Sequence, residues 1–452
     1  MSSMKGARRA FLEEKFGNRV TFQRLERKLY GHDIAAMPAL FKPLIGNTTP
    51  DGVVQPESES ELVELVEFAR QNGIPLIPRG KATSGYGGAV PLKQGLVVDF
   101  YRMKKIIGID PQNQTATVEA GVVWEKLDQE LAKHNLTLCL YPTSYPSSTV
   151  GGWLAQGGAG IGSYECGWFR DNVLSARVVM PNGQVKEFNG QDLELISEAE
   201  GITGFISRIT VKVQPLEDLE VISIGCPHPQ DLQRLIESMI AARLPIWSLM
   251  FINPRMAELK NRAPLMEHNG HTIEERLLLP AAYIMTLTFR KKDREAIGGK
   301  LAEIIKLCEA EILSERIADH EWKNRFKLMV VKRLGPSLVP AEVVVPLDHL
   351  GTVMTQIERQ IDQPLVKEGL VIPKGNGGTP EVVILGFIPS DQRKLSYNFV
   401  FGLVLTLMKI AEKNGGRAYS TGMYFTRKAA QVLGADRLQR MKGFKNQVDP
   451  KG

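Results

Sequence analysis

Between Ile74 and Gly88 the chain reads I-P-L-I-P-R-G-K-A-T-S-G-Y-G-G, and here residue types and spacing first suggest chemistry. A short apolar strand, Ile74 to Ile77, runs into Pro78, Arg79 and Gly80. The loop beyond it holds four glycines, two hydroxyls on Thr83 and Ser84, and two cations on Arg79 and Lys81. Glycine admits positive φ and lets a ligand come close to the main chain. Successive backbone N–H groups in such a turn form a concavity that binds anions. A diphosphate is the natural guest. The same string also reads as a bare surface turn, because glycine-rich loops recur by chance.

A second stretch shifts the balance. From Tyr141 the chain reads Y-P-T-S-Y-P-S-S-T-V-G-G-W-L-A-Q-G-G-A-G-I-G-S-Y-E-C-G, and seven of the 17 residues from Gly151 to Gly167 are glycine. Small residues and hydroxyls dominate and strong charge is nearly absent. A disordered linker would be richer in charge, Ser or Pro. The composition suits backbone packed against a flat ligand with polar edges.

Four motifs occur in order: P-R-G-K-A-T-S-G-Y-G-G-A (Pro78 to Ala89), P-T-S (Pro142 to Ser144), S-T-V-G-G (Ser148 to Gly152) and G-I-T-G-F-I (Gly201 to Ile206). Together they resemble the FAD-binding domain of the p-cresol methylhydroxylase (PCMH) type, within the vanillyl-alcohol oxidase superfamily. Their order and spacing are similar to the glycolate-oxidase and D-lactate-dehydrogenase branch. The resemblance covers the first 215 residues or so and weakens toward the C-terminus. It implies an α+β fold: a two-lobed PCMH-type FAD-binding domain, then an α+β, ferredoxin-like cap over the reactive face of the flavin.

The resemblance also implies residue roles. Arg79, Gly80, Lys81, Ala82, Thr83, Ser84, Tyr86 and Gly88 would form the diphosphate loop. Pro142, Thr143, Ser148, Thr149, Gly151 and Gly152 would meet the diphosphate, ribityl chain or ring edge. Ala155, Gly158, Ser163, Tyr164 and Gly167 would line the same wall, and Gly204 with Ile206 to Ile209 would offer backbone contacts. Some relatives bind flavin covalently through a histidine near the loop. No histidine occurs between Asp33 and Lys133, so non-covalent FAD is expected.

In the cap the family pattern breaks. Many 2-hydroxy-acid dehydrogenases of this branch carry G-D-G-N-x-H after a cap strand and a later Glu-His-Gly, which ligate a metal. The corresponding strand here is V-V-I-L-G-F-I-P-S-D (Val382 to Asp391). Thr421 and Gly422 stand where Glu and His would be, and no histidine follows His349. No metal site is expected. Arg325, Lys332 and Arg333 cluster in N-R-F-K-L-M-V-V-K-R, near the place of a family W-x-x-R that Trp322 and Arg325 match. Arginine suits bidentate carboxylate recognition, so Arg325 and Arg333 are candidates for a substrate anion and Tyr424 for an acid–base role. A basic amphipathic face explains the arginines equally well. Tyr419, Glu342 and His320 are weaker acid–base candidates.

The elements that must position these groups are legible in part. Ser58 and Glu61 have capping-box spacing, and Leu62, Leu65, Val66 and Ala69 share one face of the helix they open. Asn72-Gly73 stops that helix. Strands are expected over Gly95–Phe100, Thr115–Val122 and Ile206–Val213, a helix over Trp124–Asn135, and a hairpin about Pro181-Asn182-Gly183. After Pro215 short strands alternate with helices as in ferredoxin-like folds, with 261–276 as a polar loop. The expected organisation is a lead-in segment over 1–55 and the FAD domain over 56–217, in lobes 56–109 and 110–217. The cap spans 218–397 and a helical C-terminal segment 398–452.

Length allows two or three domains and a large core. The 43% apolar and 23% charged fractions are ordinary for a soluble protein. The net charge of +6 is mild, and nucleic acid is excluded as a partner because no dense basic run alternates with aromatics. The first 30 residues carry eight Lys/Arg against three Asp/Glu, which fits a solvated basic helix or a docking surface for an acidic partner or membrane. No apolar run long enough to span a bilayer is expected, nor a signal peptide. Cys139, Cys166, Cys226 and Cys308 contain no C-x-x-C, so they build neither a zinc site nor an iron–sulfur cluster, and a cytoplasmic location with reduced thiols is expected.

The resulting expectation is an FAD-dependent dehydrogenase that takes a hydride from a small 2-hydroxy-acid-like carboxylate and passes electrons to an iron–sulfur subunit or fused domain. Membrane contact, where it occurs, would run through that partner. The alternative is a non-catalytic FAD-carrying electron-transfer module whose cap has lost its substrate chemistry. The closing V-D-P-K-G, where relatives continue with Asn-Pro-Gly, suggests a longer polypeptide.

Overall fold

The computed structural model describes residues 6–34, 42–265, 267, 268, 271, 272, 276–335, 337–361 and 366–452. They divide into two units. The first comprises 1–158, 169–216 and 420–452, and the second 159–168 and 217–419.

The first unit contains two sheets. In the four-stranded one, Leu76–Arg79 and Gly52–Val54 flank Leu96–Asp99 in parallel, and Val20–Thr21 pairs antiparallel at the edge. Two of these strands come from the segment expected to be only a lead-in of helices and irregular chain. V-T and G-V-V are too short for periodicity to reveal, and pairing with a buried neighbour makes them strands. The six-stranded antiparallel sheet has Phe205–Pro215 at its centre, paired with Val173–Val179 on one side and with Thr115–Glu119 and Leu136–Leu138 on the other. Ile106–Asp110 also joins this sheet, so the strand falls on the other side of the expected lobe boundary. The hairpin about Asn182-Gly183 forms, with Val179 opposite Val185.

Helix Glu59–Asn72 buries Leu62, Leu65, Val66 and Ala69, the face its sequence spacing predicted. Ser58 Oγ accepts from Glu61 N at 3.2 Å, and Gly73 closes the helix at φ +62°. Its first turn also fastens the two sheets together. Glu59 takes Ser207 Oγ at 2.6 Å and Arg177 Nε at 2.8 Å, while Glu61 takes both Nη atoms of Arg19 at 2.5 and 2.9 Å.

The second unit is built from two β-α-β-β-α-β repeats. Leu219–Cys226, helix Pro229–Ala241, Ser248–Ile252, Tyr283–Arg290, helix Arg294–Leu307 and Glu311–Ile312 form the first, with strand order fourth-first-third-second. Val343–Pro346, helix Leu350–Gln360, Val366–Ile372, Glu381–Ser390, helix Val400–Lys413 and Arg417–Ala418 form the second, in order second-third-first-fourth. Each half is ferredoxin-like. The halves join where Ser248–Ile252 runs antiparallel to Val366–Ile372, with Phe251 opposite Gly369. A Cβ at Gly369 would fall 2.0 Å from the Phe251 ring, so the seam requires glycine there.

Three expectations about this unit change. Part of the supposed polar loop is ordered as helix Pro254–Arg262, capped by Asn253 Oδ1 accepting from Met256 N at 3.0 Å, and as the hairpin Glu267–His268 with His271–Thr272. Val366–Ile372 is a central strand that was not anticipated. Leu395–Lys413 is long and apolar enough to cross a membrane by length and composition, contrary to the sequence expectation. Within it Val400, Val404, Leu407, Met408, Ile410 and Ala411 are buried, while Leu395, Phe399 and Leu405 are exposed.

Ser58→Ala removes the acceptor for the Glu61 amide and should lower stability by about 1 kcal/mol. The check is denaturant unfolding, and an unchanged midpoint would contradict the capping role.

Candidate functional site

A single cavity in the first unit gathers residues from all three glycine-bearing stretches. Arg79, Gly80, Lys81, Ala82, Thr83, Ser84 and Gly88 line it from the loop after the first sheet. Ser148, Thr149, Gly151, Gly152 and Ala155 line it from the second stretch, and Gly204 and Ile206 from the third.

The loop is held from beneath by the N-terminal segment. Asp99, buried at the end of Leu96–Asp99, accepts from Tyr30 Oη at 2.9 Å and Gln55 Nε2 at 2.8 Å. Burial, with Asp99 alongside, pushes the Tyr30 phenol up to about 12, so it stays a donor. The Arg79 guanidinium sits 5.1 Å over the Tyr30 ring and donates to the carbonyls of Tyr30 (3.3 Å) and His32 (3.0 Å). Burial pulls its pKa down, against the fields of Asp99, Tyr30 and Asp33. Asp33 accepts the Gly87 amide at 2.7 Å. Ala82 takes φ +49°, an uncommon conformation for a residue with a side chain.

Helix Val150–Gln156 forms the opposite side. Thr149 caps it, accepting from Gly152 N at 3.2 Å. Behind it Trp153 stacks on Phe169, ring centres 4.2 Å apart, and both meet the edge of Trp124. Glycine is obligatory here for contact, since a Cβ at Gly80 would lie 2.4 Å from Thr149 Oγ1 and one at Gly151 2.5 Å from Ala120 Cβ.

Other expected cofactor residues lie elsewhere. Tyr86 is buried, its ring 5.6 Å from that of Phe425. Pro142 and Thr143 give way to their neighbour Ser144 in the lining. Gly158 is a turn whose carbonyl accepts from Phe169 N at 3.0 Å. Ile209 is fully buried in the sheet and is not part of this cavity's lining. Ser163, Tyr164 and Gly167 belong to the second unit. There Glu165 takes both Nη atoms of Arg290 at 3.0 and 2.9 Å, and Tyr419 Oη accepts from Ala159 N at 3.1 Å and stacks on Trp168.

The three proposed catalytic side chains are divided between the two units. Arg325 and Arg333 lie in the second unit and Tyr424 in the first. Arg325 Nη1 donates to Trp322 O at 2.7 Å with its guanidinium over the Trp322 and Phe326 rings, and Arg333 Nη1 donates to Pro264 O at 2.9 Å. The same unit holds a buried polar cluster that spacing did not reveal. Lys260 Nζ meets Glu321 at 2.6 Å, His320 Nδ1 lies 3.0 Å from Glu321, and burial pushes nearby Glu368 up to about 8. With one lysine between two buried carboxyls, Glu368 keeps its proton at neutral pH.

The cavity also includes residues that motif matching passed over: Phe100, Ala120, Trp153, Gln156 and Glu200. Glu200 immediately precedes G-I-T-G, so its position was available in the sequence. The others had no distinguishing signal.

Comparison with known proteins agrees with this geometry. Residues 50–189 match the FAD binding domain family, and residues 216–452 match the family of FAD linked oxidases, C-terminal domain. The mitochondrial D-lactate dehydrogenase [cytochrome] of Arabidopsis thaliana is 25% identical over 415 residues, covering 89% of this chain and 72% of that protein. The glycolate oxidase subunit GlcD of Bacillus subtilis is 25% identical over 321 residues, covering 68% of this chain and 67% of that one. The crystal structure of p-cresol methylhydroxylase with substrate bound superposes with a TM-score of 0.79 at 16% identity, covering 97% of this chain and 93% of that one, a likeness of fold.

The lining fits FAD. Two cations, five hydroxyls and a wall without room for side chains at Gly80 or Gly151 suit an anionic diphosphate beside a flat ring. Arg79→Glu should weaken flavin retention about ten-fold or more, which corresponds to at least about 1.4 kcal/mol. The readout is visible flavin absorbance per mole of purified protein, with Arg79→Gln intermediate, and full yellow colour in the glutamate variant would contradict the loop's role. Two family matches that between them span most of the chain, and a cavity built from the expected motifs, lead to one conclusion: this chain belongs to the FAD-linked oxidases of the vanillyl-alcohol oxidase superfamily, with a PCMH-type FAD-binding domain.

Proposed function

We propose that this flavoprotein is a dehydrogenase that takes a hydride from a small 2-hydroxy acid and passes the electrons to an iron–sulfur partner or fused domain. The observation carrying this reading is similarity along 89% of the chain to a D-lactate dehydrogenase, with a glycolate oxidase subunit as a second relative. Bound FAD would supply the hydride acceptor. The chain's own residues would bind and orient it: Arg79 to Ser84 around the diphosphate, and Thr149 to Gly152 against the opposite side. Arg325 and Arg333 are our candidates for the substrate carboxylate, each after releasing the carbonyl it now serves, and Tyr424 is our acid–base candidate. None of the four cysteines is disulfide-bonded, in keeping with a reducing compartment, and we place the protein in the cytoplasm with any membrane contact made through its partner.

One observation favours the second reading, a FAD-carrying electron-transfer module without substrate chemistry. Gly422 stands where relatives are expected to carry histidine, and a Cβ there would lie 2.3 Å from the Tyr86 carbonyl oxygen. At φ +46° this position serves close backbone packing and has no room for an imidazole. Any substrate chemistry here would proceed without the family's metal ligand at this position.

Anaerobic mixing with a panel of D- and L-2-hydroxy acids separates the readings. Bleaching of the flavin by one enantiomeric series is expected. An oxidised spectrum with every acid, alongside reduction by dithionite or a reduced iron–sulfur protein, would establish the carrier instead.

A further inference from the structure

Glu200 stands where three separate pieces of the first unit meet. Its amide donates to Ala155 O at 2.8 Å, which ties it to the helix beneath the cavity. Its Oε1 accepts from Ser420 Oγ at 3.0 Å and from Gly422 N at 3.2 Å, across more than two hundred residues of chain. Its Oε2 lies so close to Gly88 that a Cβ there would be 2.1 Å away. The residue sits at φ +50°, a left-handed conformation that side chains rarely adopt and that packing must hold in place. The segment it anchors also reaches the glycine loop directly, with Met423 N donating to Tyr86 O at 2.8 Å.

The carboxyl lines the flavin cavity and is half-buried there, with the protein packed around it displacing much of its water. Burial pushes it up to about 7, and Asp33 adds to that shift, while Ser420 and the Gly422 amide favour the carboxylate. Arg79 and Lys81 line the same cavity. A diphosphate brings two further negative charges into that space, and like charges favour the protonated acid.

We propose that Glu200 is a positioning residue that makes flavin binding and docking of the 420–425 segment a single event, taking up one proton from solvent as the diphosphate enters. Neutral Glu200 no longer repels the phosphates, while its Oε1 still accepts from Ser420 Oγ and the Gly422 amide. The sign follows directly. Cofactor binding raises the acid's affinity for its proton, so FAD affinity is greatest while Glu200 is protonated and declines as pH climbs through about 7.

The test uses holoprotein diluted at about pH 6, pH 7 and pH 8, with released flavin read by its fluorescence. The apparent dissociation constant of the natural chain should rise about ten-fold across that range, and that of Glu200→Gln less than about two-fold. Ser420→Ala removes a hydrogen bond that favours the carboxylate and should move the pH midpoint upward. Trypsin cleavage after Arg427 should be slowed by FAD in the natural chain and not in Glu200→Ala. An equal pH slope in Glu200→Gln, or undiminished FAD protection in Glu200→Ala, overturns the proposal. Should the Glu200 variants not fold, an unmoved midpoint in Ser420→Ala overturns it alone.

Discussion

A dinucleotide diphosphate is held best where main-chain amides can approach it, and any side chain in the way prevents that approach. The first unit is arranged around this constraint. Gly80 and Gly151 are pressed against Thr149 and Ala120 so tightly that neither could bear a Cβ without displacement. The strand before the loop and the short helix opposite are rigid supports for two stretches of backbone. The Trp124, Trp153 and Phe169 cluster keeps that helix in place from behind.

Electrostatics then acts on a frame that packing has set. Arg79 brings positive charge to the cavity, but its hydrogen bonds go to the Tyr30 and His32 carbonyls, and its ring contact is Tyr30. Its orientation therefore depends on Asp99, which fixes Tyr30. A guanidinium restrained in this way loses less side-chain freedom when an anion arrives. On the other side of the cavity an acid, Glu200, offsets some of that charge. The site balances cations against a carboxyl whose protonation state depends on what the cavity holds.

The second unit uses its polar groups differently. Arg325, Arg333, Lys260 and Glu321 all have protein partners. Buried ion pairs contribute little net stability because desolvation cancels most of the Coulomb gain, although removing one partner is costly. The joined ferredoxin-like halves make a broad sheet whose seam depends on Gly369 leaving space for Phe251.

Local physics was legible in the sequence. The Ser58 cap and the Gly73 stop are decided within one or two helical turns, the Asn182-Gly183 hairpin within a few residues, and the glycine motifs by the conformations only glycine tolerates. Motif order was enough to identify the flavin domain, because a chain must present those loops in that order to build one cavity. Interactions between distant parts of the chain were not legible. That V-T and G-V-V are strands, that Tyr30 orients Arg79, that Gly422 has no room for histidine and that Glu200 receives Ser420 depend on residues tens to hundreds of positions apart. Only tertiary packing brings such groups together, and burial, which moved Glu200 and Glu368 far from ordinary carboxylate behaviour, exists only once the chain has folded.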